Sequence, residues 1–272
     1  MKVPQNNTGD FLKQIKEQGF CVVENVLDST MVTKLREQSQ IAIDKEAAYH
    51  GNKTYGLYGG VQACPMYGGA FLEALENRSL MEPMTEVMGE GNIIWTYITT
   101  SMPPDDKNFS TRMHVDRPRL FPNYCESIGA LILLDDFTEQ NGGTWYLPGS
   151  HNRIDVPTEE EFYAKAIRLQ AKAGSVFYFN LRLWHAGGYN ATKQWRHALI
   201  IAVMRPYIKP KFDFVKMLSL HGINADELSN YVKQKLGFFA IPPATLDEFW
   251  KEDKKTYLEI SEWEIAKREL EN

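Results

Sequence analysis

Only three cysteines, Cys21, Cys64 and Cys125, occur in the 272 residues. An odd count without a C-x-x-C pair supports neither a secreted disulfide framework nor a zinc ribbon, so a reducing cytoplasm is the expected location. Long hydrophobic runs are missing too. No stretch of about 18 apolar residues occurs, and the opening MKVPQNNTGDFLKQIKEQGF turns polar too early for a signal peptide. Positive charge is in short supply: 30 Lys and Arg stand against 35 Asp and Glu, a net charge of −5. No global field exists to hold nucleic acid or an anionic membrane, and neither is expected as a partner. A G-x-G-x-x-G turn between strand and helix is also lacking, which argues against a doubly wound nucleotide-binding fold. With no internal repeat and no low-complexity linker, the sequence reads as a single domain over residues 1–272.

What is present is globular. Hydrophobic residues make up 43% and charged residues 24%, which excludes a disordered or coiled-coil chain. Phe11, Leu12 and Ile15 recur at helical spacing up to Gly19, and Phe20 to Val23 reads as a buried strand. Asp28 and Ser29 then cap a second helix. The segment Gly51 to Gly69 packs six glycines and three tyrosines without a period; it is expected to be a long loop acting as a lid over a site. Short stretches rich in β-branched and aromatic residues follow at Ile93–Thr100, Ser127–Leu134, Trp145–Leu147, Ser175–Phe179 and Ala198–Met204. They predict a β core over about 92–207, with helical segments before it and a helical extension over about 210–272.

The chemistry concentrates in the β region. In His114-Val115-Asp116, residues i and i+2 of an extended segment point to one face, so an imidazole and a carboxylate can converge on a metal. The tripeptide alone is common. Far downstream, His185 sits among Leu181, Leu183 and Trp184, and a buried histidine needs a partner. Two histidines and one carboxylate form the facial triad that leaves open positions on a non-haem Fe(II) for a chelating cosubstrate and dioxygen. Arg196 then opens a strand on which it shares a face with Ala198, Ile200 and Ala202. A guanidinium on so apolar a face is costly unless an anion pairs with it, and its planar fork fits a carboxylate of a dicarboxylate cosubstrate.

Four stretches together resemble a known family: GFCVVENVLD (Gly19 to Asp28), MHVD (Met113 to Asp116), NGGTWYLPGSH (Asn141 to His151) and AGSVFYFNLRLWHAGGYNATKQWRHAL (Ala173 to Leu199). The chain is similar to the Fe(II)- and 2-oxoglutarate-dependent dioxygenases of the phytanoyl-CoA dioxygenase type. The resemblance implies an α+β fold with a double-stranded β-helix, a cupin-like jelly roll, flanked by N- and C-terminal helices. It implies Fe(II) held by His114, Asp116 and His185, and Arg196 on the distal carboxylate of 2-oxoglutarate, which gives succinate and CO2. The family's halogenating relatives have a small residue where Asp116 stands, so hydroxylation is expected here. Desaturation, cyclisation or epimerisation on the same scaffold remain open, as do a cupin-like metal-dependent isomerase, a hydrolase and a binding protein that do not use 2-oxoglutarate.

The expected substrate is a small polar or anionic metabolite. Arg117 and Arg119 directly follow Asp116 in DRPRLF, and Arg182 shortly precedes His185; guanidinium groups near a metal would attract an anion. Tyr97 and Trp145 lie on core strands whose cavity-facing side the sequence does not fix. His151, closing the PGSH turn, is expected to be structural. Oligomeric state has no signature in the sequence.

Overall fold

The computed structural model describes residues 8–51, 57–122 and 124–250. Helix α1 (Thr8–Gln18) ends at Gly19, whose φ of +82° and N–H bonds to the Gln14 and Ile15 carbonyls make it the left-handed cap expected there. Strand β1 (Phe20–Val23) follows, and Asp28 accepts the Met31 N–H at 2.8 Å to open α2 (Ser29–Tyr49). Helices α3 (Ala70–Glu73) and α4 (Arg78–Met88) precede β2 (Ile93–Thr99) and β3 (Ser127–Leu133). The chain continues through β4 (Trp145–Tyr146), α5 (Glu159–Lys165), β5 (Ile167–Arg168), β6 (Val176–Asn180), β7 (His185–Ala186) and β8 (Ala198–Met204). It ends, among the described residues, in α6 (Phe214–Leu220), α7 (Asn230–Lys235) and α8 (Leu246–Phe249). Residues 251–272 of the expected helical extension lie outside the described part. No described helix is long and apolar enough to cross a membrane.

Among the described residues the strands form two antiparallel sheets, one of five strands in the order β1-β6-β3-β8-β2 and one of three in the order β5-β4-β7. Thus β1, from well before residue 92, supplies an edge of the larger sheet. Alternation along each strand sorts the side chains into two cores. Ala130, Ile132, Tyr178, Leu199 and Ile201 face the helical layer, with Leu35, Phe71 and Met84. Leu131, Leu133, Phe177, Phe179, Ala198 and Ala202 face the other way and meet Tyr146 of the smaller sheet. The functional cavity opens within that second core.

The Gly-Tyr segment departs from the expected lid. Its residues 52–56 lie outside the described part, but residues 57–69 are packed. The Thr99 N–H donates to the Val61 carbonyl and the Ser101 N–H to the Gly59 carbonyl, both at 3.0 Å, so the segment is tied alongside β2. Val61, Ala63 and Cys64 are buried. Gly59 has φ +84°, and a Cβ there would lie 2.2 Å from the Ser101 carbonyl oxygen. Gly59→Ala therefore combines a left-handed backbone with a clash against main chain, and thermal unfolding should show a loss of at least about 1–2 kcal/mol. A loss under half of that would mean the segment is free to shift away from β2.

Candidate metal centre

His114 and His185 exchange both backbone N–H···O bonds, each 2.9 Å long. Such a pair sets two residues directly opposite one another, and their rings lie 4.3 Å apart between centroids. The N–H groups of Asp116 and Arg117 both donate to the Leu181 carbonyl, at 2.9 and 3.0 Å, so the strand bends as it leaves the site. Asp116 then places Oδ1 3.5 Å from His114 Nε2 and Oδ2 3.9 Å from His185 Nε2. One ligand atom from each of the three residues lies within 4.8 Å of the others.

The ring orientations are set by the backbone. His114 Nδ1 donates to the Arg112 carbonyl at 2.6 Å and His185 Nδ1 to the Leu183 carbonyl at 2.9 Å. In the neutral imidazole, protonation at Nδ1 leaves Nε2 its lone pair, and both Nε2 atoms lie near Asp116; burial opposes charge on His114, but the hydrogen bond and charge of Asp116 outweigh it and raise its proton affinity. Burial, joined by the nearby His114, pushes the His185 imidazole toward its neutral form, the form that binds a metal. Burial opposes charge on Asp116, but His185 foremost, then His114 and Lys211, outweigh it and hold the carboxyl below its ordinary range.

Deeper in the same cavity lies Arg196, only 1% exposed. Its guanidinium stacks 4.2 Å over the Phe137 ring, while Nε and Nη1 have no hydrogen-bond partner. Burial lowers its proton affinity, opposed by the charge of Asp135. An orphaned, buried fork of donors beside an open set of metal ligands fits a carboxylate reaching across from the metal. Thr100, Ser110, Thr144 and Ile200 complete much of the wall, and Gly187 lets it close: a Cβ there would stand 2.6 Å from Ser110 Oγ.

Residues 15–198 match the model of the phytanoyl-CoA dioxygenase (PhyH) family. The chain belongs to the phytanoyl-CoA dioxygenase family. It is similar to the uncharacterized protein Rv1501 of Mycobacterium tuberculosis, 28% identical over 266 residues that cover 93% of this chain and 96% of the relative. The dioxygenase aneA of Aspergillus aculeatus is 24% identical over 215 residues, covering 72% of each chain. Among solved structures, the non-haem α-ketoglutarate-dependent carbocyclase SnoK from nogalamycin biosynthesis superposes with a TM-score of 0.59 at 19% identity, over 75% of this chain and 87% of SnoK.

Within this PhyH-family fold the four residues singled out for metal and cosubstrate line one cavity. The residues expected to read the substrate fare differently. Tyr97 is fully buried on the helical side of β2, edge-on to Phe71, because the odd-even phase of that strand puts Ile98 into the cavity instead. Trp145 also faces away: its partner on β7 is Ala186, it packs against the cluster of Leu147, Phe162 and Ala186, and Arg168 lies over its ring. Its neighbour Thr144 is the inward residue, a role the sequence left open. Arg182 is spent on main chain, donating to the carbonyls of His151, Pro118 and Arg153. Arg117 is neutralised by Glu126 through a two-pronged pair at 3.0 and 2.9 Å. Arg119 is exposed and forms no part of the cavity wall. His151 is structural, as expected, with Nε2 on the Lys16 carbonyl at 3.1 Å.

Proposed function

We propose that the protein is an Fe(II)- and 2-oxoglutarate-dependent oxygenase, built on a double-stranded β-helix core, that hydroxylates a small polar or anionic metabolite in the cytoplasm. The observation that carries the reading is the buried Arg196, its Nε and Nη1 unpaired, in one cavity with His114, Asp116 and His185. The two Nε2 atoms and the Asp116 carboxylate would hold the metal, and Arg196 would receive the far carboxylate of 2-oxoglutarate. When bound, iron and cosubstrate supply the oxidising power, with succinate and CO2 released. The chain's own residues orient and enclose. The Arg112 and Leu183 carbonyls fix the two imidazoles, Phe137 holds the guanidinium plane, and Phe177, Phe179 and Leu131 line the site with apolar surface that keeps bulk water away from the reacting groups. The Asp116 carboxylate, where halogenating relatives have a small residue, supports hydroxylation.

Fe(II) and 2-oxoglutarate added anaerobically should give the weak visible charge-transfer band of the chelate. In air, a screen of pooled metabolites for succinate release should then single out a substrate whose product gains one oxygen atom. A product short of two hydrogens would move the assignment to desaturation or ring closure, and no chelate band would exclude 2-oxoglutarate.

A further inference from the structure

One rung of the larger sheet crosses the cavity from its closed side to its open side. Leu131 on β3, Ile200 on β8 and Ile98 on β2 are paired neighbours in the register, and all three line the cavity. Leu131 is 3% exposed, whereas Ile200 and Ile98 are half-buried. Strand β8 is an inner strand, and Leu199 and Ile201 on either side of Ile200 belong to the helix-side core, so the exposed surface of Ile200 lies in the cavity itself. The cavity therefore opens toward β2, the edge strand, and the half-buried Phe109 is part of the same lining.

Polar groups are divided unevenly along this cavity. Arg196, Thr100 and Thr144 are all buried, at the closed end. On the oxygenase reading that end is taken by 2-oxoglutarate, and the open end is what is left to a substrate. Apart from His114 and Asp116, the half-buried side chains there are Ile98, Ile200, Phe109 and Ser110. Ser110 gives its hydroxyl proton to Asn108 Oδ1 at 2.8 Å. Among the described residues, no lysine or arginine other than Arg196 lines the cavity. A polar group placed against these residues would lose its water and gain no side-chain partner, whereas a hydrocarbon segment would cover apolar surface that is otherwise wet.

We propose that Ile98, Ile200 and Phe109 are specificity-determining residues that seat a hydrocarbon part of the substrate, an alkyl chain or a ring face, beside the metal. The polar or anionic group of the metabolite then stays outside this end. The proposal rests on the oxygenase reading of the site and names the part of the metabolite that the site receives.

The test uses the protein loaded with Mn(II) and saturating 2-oxoglutarate, so that the closed end is already engaged. The probes are n-hexanol and the α,ω-hexanediol, which has a hydroxyl at both ends. Ligand-observed NMR gives both affinities, and the paramagnetic relaxation caused by Mn(II) shows which end of hexanol lies nearer the metal. Hexanol should bind about tenfold more tightly than the diol, which must bury a hydroxyl without a partner, and its methyl end should relax faster than its carbinol end. Ile98→Ala, Ile200→Ala and Phe109→Ala should each weaken hexanol about tenfold, and Ile98→Val and Ile200→Val only about two- to fourfold, the size of one buried methylene. Thermal unfolding shows which variants are folded; where an alanine variant is not, its valine counterpart decides. No binding of hexanol, equal binding of the two alcohols, a carbinol end nearer the metal, or hexanol affinity unchanged in the folded variants overturns the proposal. The visible band of Fe(II) with 2-oxoglutarate tests the oxygenase reading by itself: without the band that reading falls, and with it a failed hexanol measurement counts against this proposal alone.

Discussion

His185→Ala should bind Fe(II) at least about 100-fold more weakly and release no succinate, while remaining folded. Disturbing only a partner of a ligating histidine costs roughly 10- to 100-fold in metal affinity, and removing the ligand itself should exceed that. The fold should survive because what joins the two histidine strands is main chain. Both bonds between residues 114 and 185 use N–H and C=O groups, which alanine retains. The cavity left by the imidazole borders Phe179, 5.3 Å away between ring centroids, and costs some stability without releasing the strand pair. Circular dichroism with equilibrium Fe(II) titration separates loss of the ligand from loss of the fold. Near-normal coupled turnover in this variant would remove His185 from the metal site.

Arg196 should show two opposite effects in two substitutions. Arg196→Lys keeps a charge and loses the fork, so the KM for 2-oxoglutarate should rise on the order of 10- to 100-fold, as expected when about 1.5–3 kcal/mol of charge-assisted hydrogen bonding is lost, while iron binding persists. Arg196→Met removes a buried cation with orphaned donors and replaces it with apolar volume, so the cosubstrate-free protein should become more stable. Wild-type protein should gain about 2.7 kcal/mol at a 2-oxoglutarate concentration 100 times its Kd, and the methionine variant should gain nothing. Thermal shift with and without 2-oxoglutarate, in the presence of metal, reads both effects. A methionine variant that is less stable, yet still shifted by 2-oxoglutarate, would make Arg196 a structural residue.

The residues that could be placed from sequence were those whose chemistry is unusual for their position. A buried histidine and an arginine on an aliphatic strand face are costly without a purpose, and the period of β8 correctly put Arg196 with Ala198, Ile200 and Ala202. Strand boundaries were legible for the same reason: β8 runs Ala198–Met204 as its composition indicates. Tyr97 and Trp145 show the limit. Period two says that neighbours face opposite ways but not which way is inward, and the bulge at Trp95 changes the phase along β2. Nearness in sequence points Arg117, Arg119 and Arg182 toward the site, whereas Glu126 takes up Arg117 and three carbonyls take up Arg182. Strands β5 and β7, two residues each, are too short for any period.

The order of strands in the larger sheet has a consequence in time. Strand β8, the last to be synthesised, lies between β3 and β2, and β6 joins β3 to β1 from the far N-terminal end. Until residues near 204 have left the ribosome, β2 has no partner to its inner side and Arg196 has no wall to be buried in. Contacts so distant along the chain form slowly, since loops must close before pairing rewards them. A nascent chain paused before β8 carries His114, Asp116 and His185 and still lacks the vessel that encloses them. On the proposed assignment, loading of the site should follow completion of the chain, so folded metal-free protein should take up Fe(II) when it is added afterwards.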